Sequence, residues 1–241
     1  MRPDRTLADE GRFIHDMRDA NLGCDKLNHP PAKLPTHREI ARTILWWRCR
    51  CPKVRVYLAK RDFQAAFKLL WVELPGLRIM AVSLLGVRGT EPITVIYLAM
   101  VFGWTGAPGE WAVWGRGVQD AHQAHCPPEA DLHDEVAYSS EVLVDDGVLV
   151  EPALGARPWL SAWTFDAMSK LILGDGAINL AKLAEEGEFS TEKLIWGLQF
   201  QLEDVGGRVI DQATLPEAKI QKMRFLLQEA EAAEEEDGEE G

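Results

Sequence analysis

A helical pattern is the first regular element that the chain predicts. Apolar side chains recur at Ile40, Ile44 and Trp47, which is the spacing of one face of an α-helix. Thr36 and Glu39 stand just before this stripe, three residues apart. This is the spacing of a capping box, in which the threonine hydroxyl accepts a backbone hydrogen bond and the glutamate bonds back to the cap. The pattern therefore predicts a helix that begins after Thr36.

An alternating pattern follows and predicts a strand. Residues 54–58 alternate apolar with polar or small side chains, and the strand runs into Asp62. A second signal lies at residues 141–150, where two apolar runs flank the segment from Asp145 to Gly147. Because Asp-Gly pairs are common at tight turns, this segment predicts a hairpin with the acidic residues at its tip.

Further patterns complete the predicted fold. Apolar runs at residues 77–86 and 93–102 predict one hairpin, and residues 194–208 predict another. Helices are expected at residues 108–125, 160–173, 178–186 and 215–227. This order predicts an α+β fold in which an antiparallel sheet carries helices on one face.

The charge is unevenly distributed along the chain. The sequence holds 38 acidic and 26 basic residues, a net charge of −12, which disfavours a simple nucleic-acid binder. Residues 229–241 hold eight acidic and no basic residues, and we expect a disordered tail there. Residues 38–61 instead hold eight basic residues and one acidic residue. Two interpretations of this basic stretch stay open, a solvated helix face and a surface for nucleic acid.

Several classes of protein and site are disfavoured. The longest apolar stretch, residues 93–104, is well short of the ~20 residues that cross a membrane. The N-terminus lacks the apolar segment of a signal peptide. Few cysteines for this length indicate free thiols, so we expect an intracellular protein, cytoplasmic or nuclear and not secreted, without a membrane partner. His122 and His125 beside Cys126 suggest metal ligands, but a polar cluster at a helix end explains them as well.

Three aspartates are the strongest candidates for chemistry. Asp145 and Asp146 both stand at the predicted hairpin tip, and neighbouring strands lie ~5 Å apart, so the hairpin could bring Asp145 beside Asp62. Clustered carboxylates repel each other unless they share a cation, and Mg²⁺ prefers oxygen ligands. The pattern therefore predicts a divalent-metal site, although the same Asp-Gly pair is also ordinary turn chemistry.

Six segments resemble, in the same order, the motifs of reverse transcriptases, and the LTR-retrotransposon type fits best. They are Gly11–Asn21 (a fingers segment), Asp62–Phe67, Val101–Pro108, Leu143–Asp146 (the Tyr-x-Asp-Asp box), Ile178–Lys182 and Leu194–Gly197 (the primer-grip hairpin). The resemblance implies RNA-directed DNA synthesis on an RNA or DNA template-primer with deoxynucleoside triphosphates. It also implies a polymerase palm with a ferredoxin-like sheet, and other domains of a retroelement polyprotein as partners.

The resemblance implies a metal centre and its ligands. Asp62 and Asp145 would bind two Mg²⁺ ions, with Mn²⁺ as a substitute, helped by the Phe63 carbonyl. Asp146 would support the site or add a ligand.

The resemblance also implies the residues that handle the nucleotide. Lys182 would protonate the pyrophosphate, and Arg12 would clamp the triphosphate. Phe67 would lie under the sugar and exclude a 2′-hydroxyl, while Phe102 and Gly103 would shape the nucleotide pocket.

The domain boundaries follow from the same resemblance. Partial fingers with the basic helix would occupy residues 1–61, and a palm with the primer-grip hairpin and the start of the connection to a thumb would occupy residues 62–227. The acidic tail would occupy residues 228–241. Leu143 replaces the usual Tyr and Val101 the usual Pro. Both are tolerable apolar changes. A second hypothesis, which the partial fingers and the net negative charge favour, is a decayed or domesticated relative that keeps the fold and acts only as a binding module.

Overall fold

The computed structural model describes residues 16–84, 91–128, 135–205 and 208–227. Helices and short antiparallel sheets alternate along this part of the chain, so the predicted α+β class is confirmed. The helices are α1 (Arg18–Leu22), α2 (His37–Arg50), α3 (Ala107–Gln123), α4 (Arg157–Leu173), α5 (Leu180–Glu186) and α6 (217–227). The strands are β1 (Val56–Asp62), β2 (Ala81–Leu84), β3 (Ile93–Ile96), β4 (Ser140–Leu143), β5 (Asp146–Pro152), β6 (Glu192–Ile195), β7 (Leu198–Val205) and β8 (Arg208–Thr214). They form three sheets in the orders β1-β5-β4, β2-β3 and β6-β7-β8.

The structure confirms the predicted start of α2 but shortens the predicted β2–β3 hairpin. The capping box of α2 is present: the Thr36 hydroxyl oxygen accepts from the Arg38 amide at 3.3 Å, and Glu39 accepts from the Thr36 amide at 2.9 Å. The predicted hairpin at 77–86 and 93–102 is shorter than expected. Leu74–Met80 instead forms a 3₁₀ helix with Pro75 in its first turn, because the fixed φ of proline suits that position and proline has no N–H for a strand ladder.

One face of the central sheet packs against α3 and α4. Ala59 of β1 and Leu149 of β5 are paired in register and project to this face. They share a core with Trp111 of α3 and Phe165 of α4, and all four side chains are buried. These two helices lie where the sequence placed them, over one face of an antiparallel sheet.

The opposite face packs against α2 and the third sheet, which corrects the expectation of helices on one face only. Leu58 and Val150, one step along the same strands, share a second core with Ile44 and Trp47 of α2 and with Phe200 of β7. The apolar stripe of α2 needs an apolar partner, and the alternating side chains of β1 and β5 provide one on each face. The boundary drawn at residue 61 falls inside β1, so the segments on either side of it share one core.

A buried polar network ties the central sheet to α4. Arg157 donates to Glu151 at 2.6 Å, and Ser161 donates to the same carboxylate at 3.0 Å. His122 completes the network: Ser140 donates to its Nδ1 at 2.8 Å, and its Nε2–H donates to the Ser161 carbonyl at 3.1 Å. Both ring nitrogens of His122 are thus used inside the core. Within the described ranges no three His, Cys, Asp or Glu side chains are grouped as ligands of one ion.

The burial of His122 makes stability depend on pH. Burial lowers its pKa from 6.5 to about 3, so the folded chain holds a neutral imidazole that the unfolded chain protonates below pH 6.5. The contribution of the neutral His122 to the free energy of unfolding is fully present above pH 6.5. It falls by about 1.4 kcal/mol per pH unit as the pH drops from 6.5 towards 3. Urea unfolding at pH 7 and pH 4.5 measures this loss. We expect His122→Gln to remove this part of the pH dependence and His125→Gln, at an exposed neighbour, to keep it; equal slopes in both variants would contradict the assignment.

Gly147 lies in a tightly packed strand position rather than in a turn. A Cβ there would stand 2.8 Å from the Phe165 ring and 3.3 Å from the Arg61 Cβ. Gly147→Ala should therefore cost about 1–3 kcal/mol of unfolding free energy, because the ring and strand must move apart. Gly117→Ala in α3, where nothing lies within 4 Å, should stabilise by about 0.5–1 kcal/mol. Urea denaturation compares the two variants, and a Gly147→Ala protein as stable as wild type would show that this packing is misassigned.

Candidate functional site at the end of the central sheet

Asp62 and Asp146 meet where β1 ends and β5 begins. They are directly paired across the two antiparallel strands, so their side chains project from the same face with Cβ atoms ~5 Å apart. Asp62 is buried and Asp146 is half-buried. The strand register alone therefore places two carboxylates side by side.

Asp145 occupies the turn that joins β4 to β5. Leu143 pairs with Asp146, which leaves Val144 and Asp145 as a two-residue turn. The Phe63 amide donates to the Asp145 carbonyl at 2.7 Å, so the backbone of Asp145 lies beside the end of β1. The sequence placed both acidic residues and Gly147 at the tip; the structure puts only Asp145 there.

The turn is held in a strained conformation. Val144 has φ of 50°, in the left-handed region that a β-branched residue rarely adopts, and such a residue costs roughly 1–3 kcal/mol. The Trp111 indole N–H donates to the Val144 carbonyl at 2.6 Å, and the Phe63 amide holds the next carbonyl. One side-chain donor and one backbone donor thus fix the position of the turn, and the rings of the two donor residues pack edge to face at 5.4 Å.

Lys182 and Asn179 are the polar partners of Asp62. The Lys182 ammonium donates to Oδ1 of Asp62, and the Asn179 amide donates to Oδ2 at 3.0 Å. The hydrogen bond to Asp62 raises the pKa of Lys182, so its charge is secured. The motif resemblance implies that Lys182 is a site residue, and in the structure its ammonium is hydrogen-bonded to the Asp62 carboxylate.

The aspartates and lysines form one electrostatic cluster. The pKa of Asp146 is raised, first by burial and then by the neighbouring carboxylates of Asp145 and Asp62, while Lys60 opposes the rise. Lys60 lies two residues before Asp62 on the same face of β1 and pairs with Glu186 at 2.7 Å. A divalent cation would relieve the repulsion among the three carboxylates.

The chemistry of these donors fits a hard divalent cation. Mg²⁺ and Mn²⁺ prefer oxygen ligands, and Asp62, Asp145 and Asp146 carry carboxylates at the end of one sheet, beside the backbone of Phe63. In the part of the chain that the structure describes, these three carboxylates are not grouped as the ligands of one ion. Because the ammonium of Lys182 holds one oxygen of Asp62, a cation at Asp62 would compete with an internal positive charge.

Among the predicted nucleotide-binding residues, Phe67 shares a core with Phe63 and Val144, the chain neighbours of Asp62 and Asp145. Phe67 is buried and contacts Phe102 edge to face at 5.1 Å, whereas Phe102 itself is 70% exposed. Gly103 has φ of 96°, and its carbonyl accepts from the Asn21 side chain at 2.8 Å. Asn21 also accepts from the Thr105 amide at 2.8 Å, which ties α1 to this loop. The prediction for Arg12 lies outside the described residues.

Sequence reasoning missed two residues of this cluster. Asn179 lies in the motif-like segment Ile178–Lys182, which implies no role for it, although Asn immediately before an apolar helical segment is a recognisable N-cap. Lys60 belongs by composition to the basic stretch, but the two-residue period of a strand places it on the same face as Asp62.

The basic stretch divides into structural and exposed residues. Three of its cations are largely buried and paired: Arg48 with Asp211, Lys60 with Glu186 and Arg61 with Asp166. Arg38, Arg42 and Arg50 are exposed on α2 and follow a four-residue spacing with Trp46. The Arg50 guanidinium stacks over the Trp46 ring at 5.3 Å, and a groove beside Arg42 and Trp46 is lined on its far side by residues 136–141. We call Arg38, Arg42, Trp46 and Arg50 the α2 stripe.

Comparison with known proteins gives no family. No model of a known protein family matches the chain, and no curated protein matches it. Among the described residues, no helix is both long and apolar enough to cross a membrane.

Replacing Lys182 tests whether its ammonium balances Asp62. Lys182→Met should destabilise the metal-free chain by about 1–3 kcal/mol, because it leaves a buried carboxylate oxygen without its partner. The free energy of unfolding is measured in EDTA and again with Mg²⁺. We expect Mg²⁺ to raise it more in the variant than in wild type. Lys170→Met, which removes a pair between exposed side chains, is the control and should change little. Identical behaviour of the two variants would contradict the assignment.

Proposed function

We propose that this chain carries out template-directed nucleotidyl transfer, namely RNA-directed DNA synthesis, with a palm-like central sheet. The observation that carries the proposal is the pairing of Asp62 with Asp146, with Asp145 in the adjoining turn. These three residues belong to the two segments that resemble the carboxylate motifs of reverse transcriptases. Lys182, from a third such segment, donates to Asp62 and so supports the same assignment.

The proposed chemistry is an in-line substitution at phosphorus. The primer 3′-hydroxyl gives its proton to water and its oxygen bonds to the α-phosphorus of a deoxynucleoside triphosphate, while the bond from that phosphorus to the bridging oxygen breaks to release pyrophosphate. Asp62, Asp145 and Asp146 would hold Mg²⁺, which when bound neutralises phosphate charge and favours the alkoxide. Lys182 supplies the proton that the departing pyrophosphate takes up. Most of the acceleration comes from orientation and charge rather than from covalent chemistry of the protein.

The nucleotide would lie against the residues next to the cluster. Phe67 is fixed by its burial and can act as a rigid wall under the sugar, which is the position that excludes a 2′-hydroxyl in the resembled family. Phe102 offers an exposed ring, and Gly103 leaves room for close approach of a ligand. Arg12 would add a guanidinium for the triphosphate.

The α2 stripe is the proposed contact for a nucleic-acid strand. Guanidinium groups bind phosphates, and an exposed indole offers a surface on which a base can stack. Lys60 and Arg61 do not contribute to this surface, because they are held by Glu186 and Asp166. As a partner of other retroelement domains, the chain would receive its remaining nucleic-acid contacts from them.

One observation favours a second function, a binding module without polymerase activity. Asp62 is already neutralised by Lys182 and bonded to Asn179, so its carboxylate is satisfied without a metal ion. A domesticated relative could keep this arrangement for stability alone.

Primer extension on an RNA template with Mg²⁺ and deoxynucleotides separates the two functions. We expect extension by wild type, and a loss of at least about 100-fold in Asp62→Asn and Asp145→Asn, because each removes a ligand of a catalytic cation. Asp120→Asn, at an exposed acid paired with Arg116 on α3, is the control and should retain activity. No extension by wild type, with Asp145→Asn indistinguishable from it, would overturn the polymerase function in favour of the binding module.

A further inference from the structure

The position of α5 depends on polar contacts rather than on apolar packing. All seven of its residues are exposed or half-buried. At its C-terminal end, Glu186 accepts from Lys60 at 2.7 Å, and the Gly187 carbonyl accepts from Arg61 at 2.7 Å. At its N-terminal end, the contacts converge on Asp62. This short helix is therefore held along β1 by charges and hydrogen bonds.

Asn179 makes the decisive contacts at the N-terminal end. Its backbone amide donates to the Asp62 carbonyl at 2.8 Å, and its side-chain amide donates to Oδ2 of Asp62 at 3.0 Å. Its side-chain oxygen accepts from the Lys182 amide at 3.3 Å and caps the helix. One side chain thus links the carboxylate of Asp62 to the first turn of α5, which carries Lys182.

The two contacts of this side chain require an amide. A carboxylate oxygen can only accept, so its partner must donate, whereas the partner of a backbone N–H must accept. Asn meets both requirements with its two terminal atoms. Asp at this position would cap the helix but repel Asp62, and Ser would cap the helix with a side chain too short to bridge to Asp62.

We propose that Asn179 is a positioning residue of the carboxylate site. It fixes the orientation of Asp62 and holds the first turn of α5 beside it, so that Asp62 stays aligned when a divalent cation takes the place of the Lys182 ammonium. This inference rests on the proposed function, because it assumes that Asp62 binds a cation. Nothing in the motif resemblance assigned Asn179 a role; the assignment comes from its three hydrogen bonds.

The test is a Mn²⁺ titration of the full chain, followed by the electron paramagnetic resonance of free Mn²⁺. Asn179→Ser keeps a good helix cap and removes the donor to Asp62. Loss of an outer hydrogen bond to a metal ligand typically weakens metal binding by about 10- to 100-fold, and we expect this loss with a melting temperature close to that of wild type. Asn179→Gly, which keeps an acceptable cap residue, serves if the Ser variant does not fold.

Two controls separate orientation from stability. Thr36→Ala removes the cap of α2, far along the chain from this site, and should lower the melting temperature without changing Mn²⁺ affinity. Asp62→Asn should abolish the binding and so identifies the site that is being measured.

The outcomes distinguish the two proposals. If wild type binds Mn²⁺ through Asp62 and Asn179→Ser binds it equally well, the role of Asn179 is overturned and the proposed function survives. If wild type does not bind Mn²⁺, the proposed function fails and the role of Asn179 fails with it. If Mn²⁺ affinity and melting temperature fall together in both Asn179→Ser and Thr36→Ala, Asn179 has only a structural role and the proposal is overturned.

Discussion

The register of β1 against β5 determines where each charged group of the candidate site lies. In this register Asp62 stands opposite Asp146, and Lys60 lies on the same face two residues before Asp62. A slip by one residue would turn Asp62 towards the core beneath α3 and α4. Leu58 and Ala59 would each move to the opposite face of the sheet. Apolar pairs such as Leu58 with Val150 and Ala59 with Leu149 fix the register, because each is buried on its own face. The packing of the core thus positions the acidic cluster.

Three charged residues at this end of the sheet form ion pairs with residues of the helices α4 and α5. Arg61 is buried and pairs with Asp166, Lys60 pairs with Glu186, and Lys182 pairs with Asp62. Burying an ion without a partner costs several kcal/mol, which explains why the basic residues closest to the aspartates are structural. Asp145 differs from the other two aspartates because it is exposed in the turn. The cluster therefore combines a tightly held carboxylate, a half-buried one and an accessible one.

Local signals predicted the elements well where one short pattern decides the structure. The capping box of α2 and the hairpin around Asp145 depend on neighbouring residues, and both could be identified from the sequence. The exact turn could not, because Val144 adopts an unfavourable conformation that Trp111 and Phe63 stabilise from distant parts of the chain. Likewise, Gly147 looked like a turn residue, although contact with Phe165 is what requires it.

The long-range contacts of the site were harder to predict. By composition, Lys60 and Arg61 belong to a basic stretch. The fold shows that they form salt bridges with Glu186 and Asp166. Asn179 has an ordinary capping signal, but its bond to Asp62 joins residues 117 positions apart. The candidate aspartates could be named from the sequence because their motifs are short. The residues that support them could not be named, because tertiary contacts define them.

The central claim is that Asp62, Asp145 and Asp146 bind a divalent cation. Crystals soaked in Mn²⁺ and measured where manganese scatters anomalously test it most directly. The account predicts an anomalous peak among the carboxylates of Asp62, Asp145 and Asp146, with the Lys182 ammonium moved off Asp62. A soaked crystal with no peak at these carboxylates, and with Lys182 still bonded to Asp62, would contradict it.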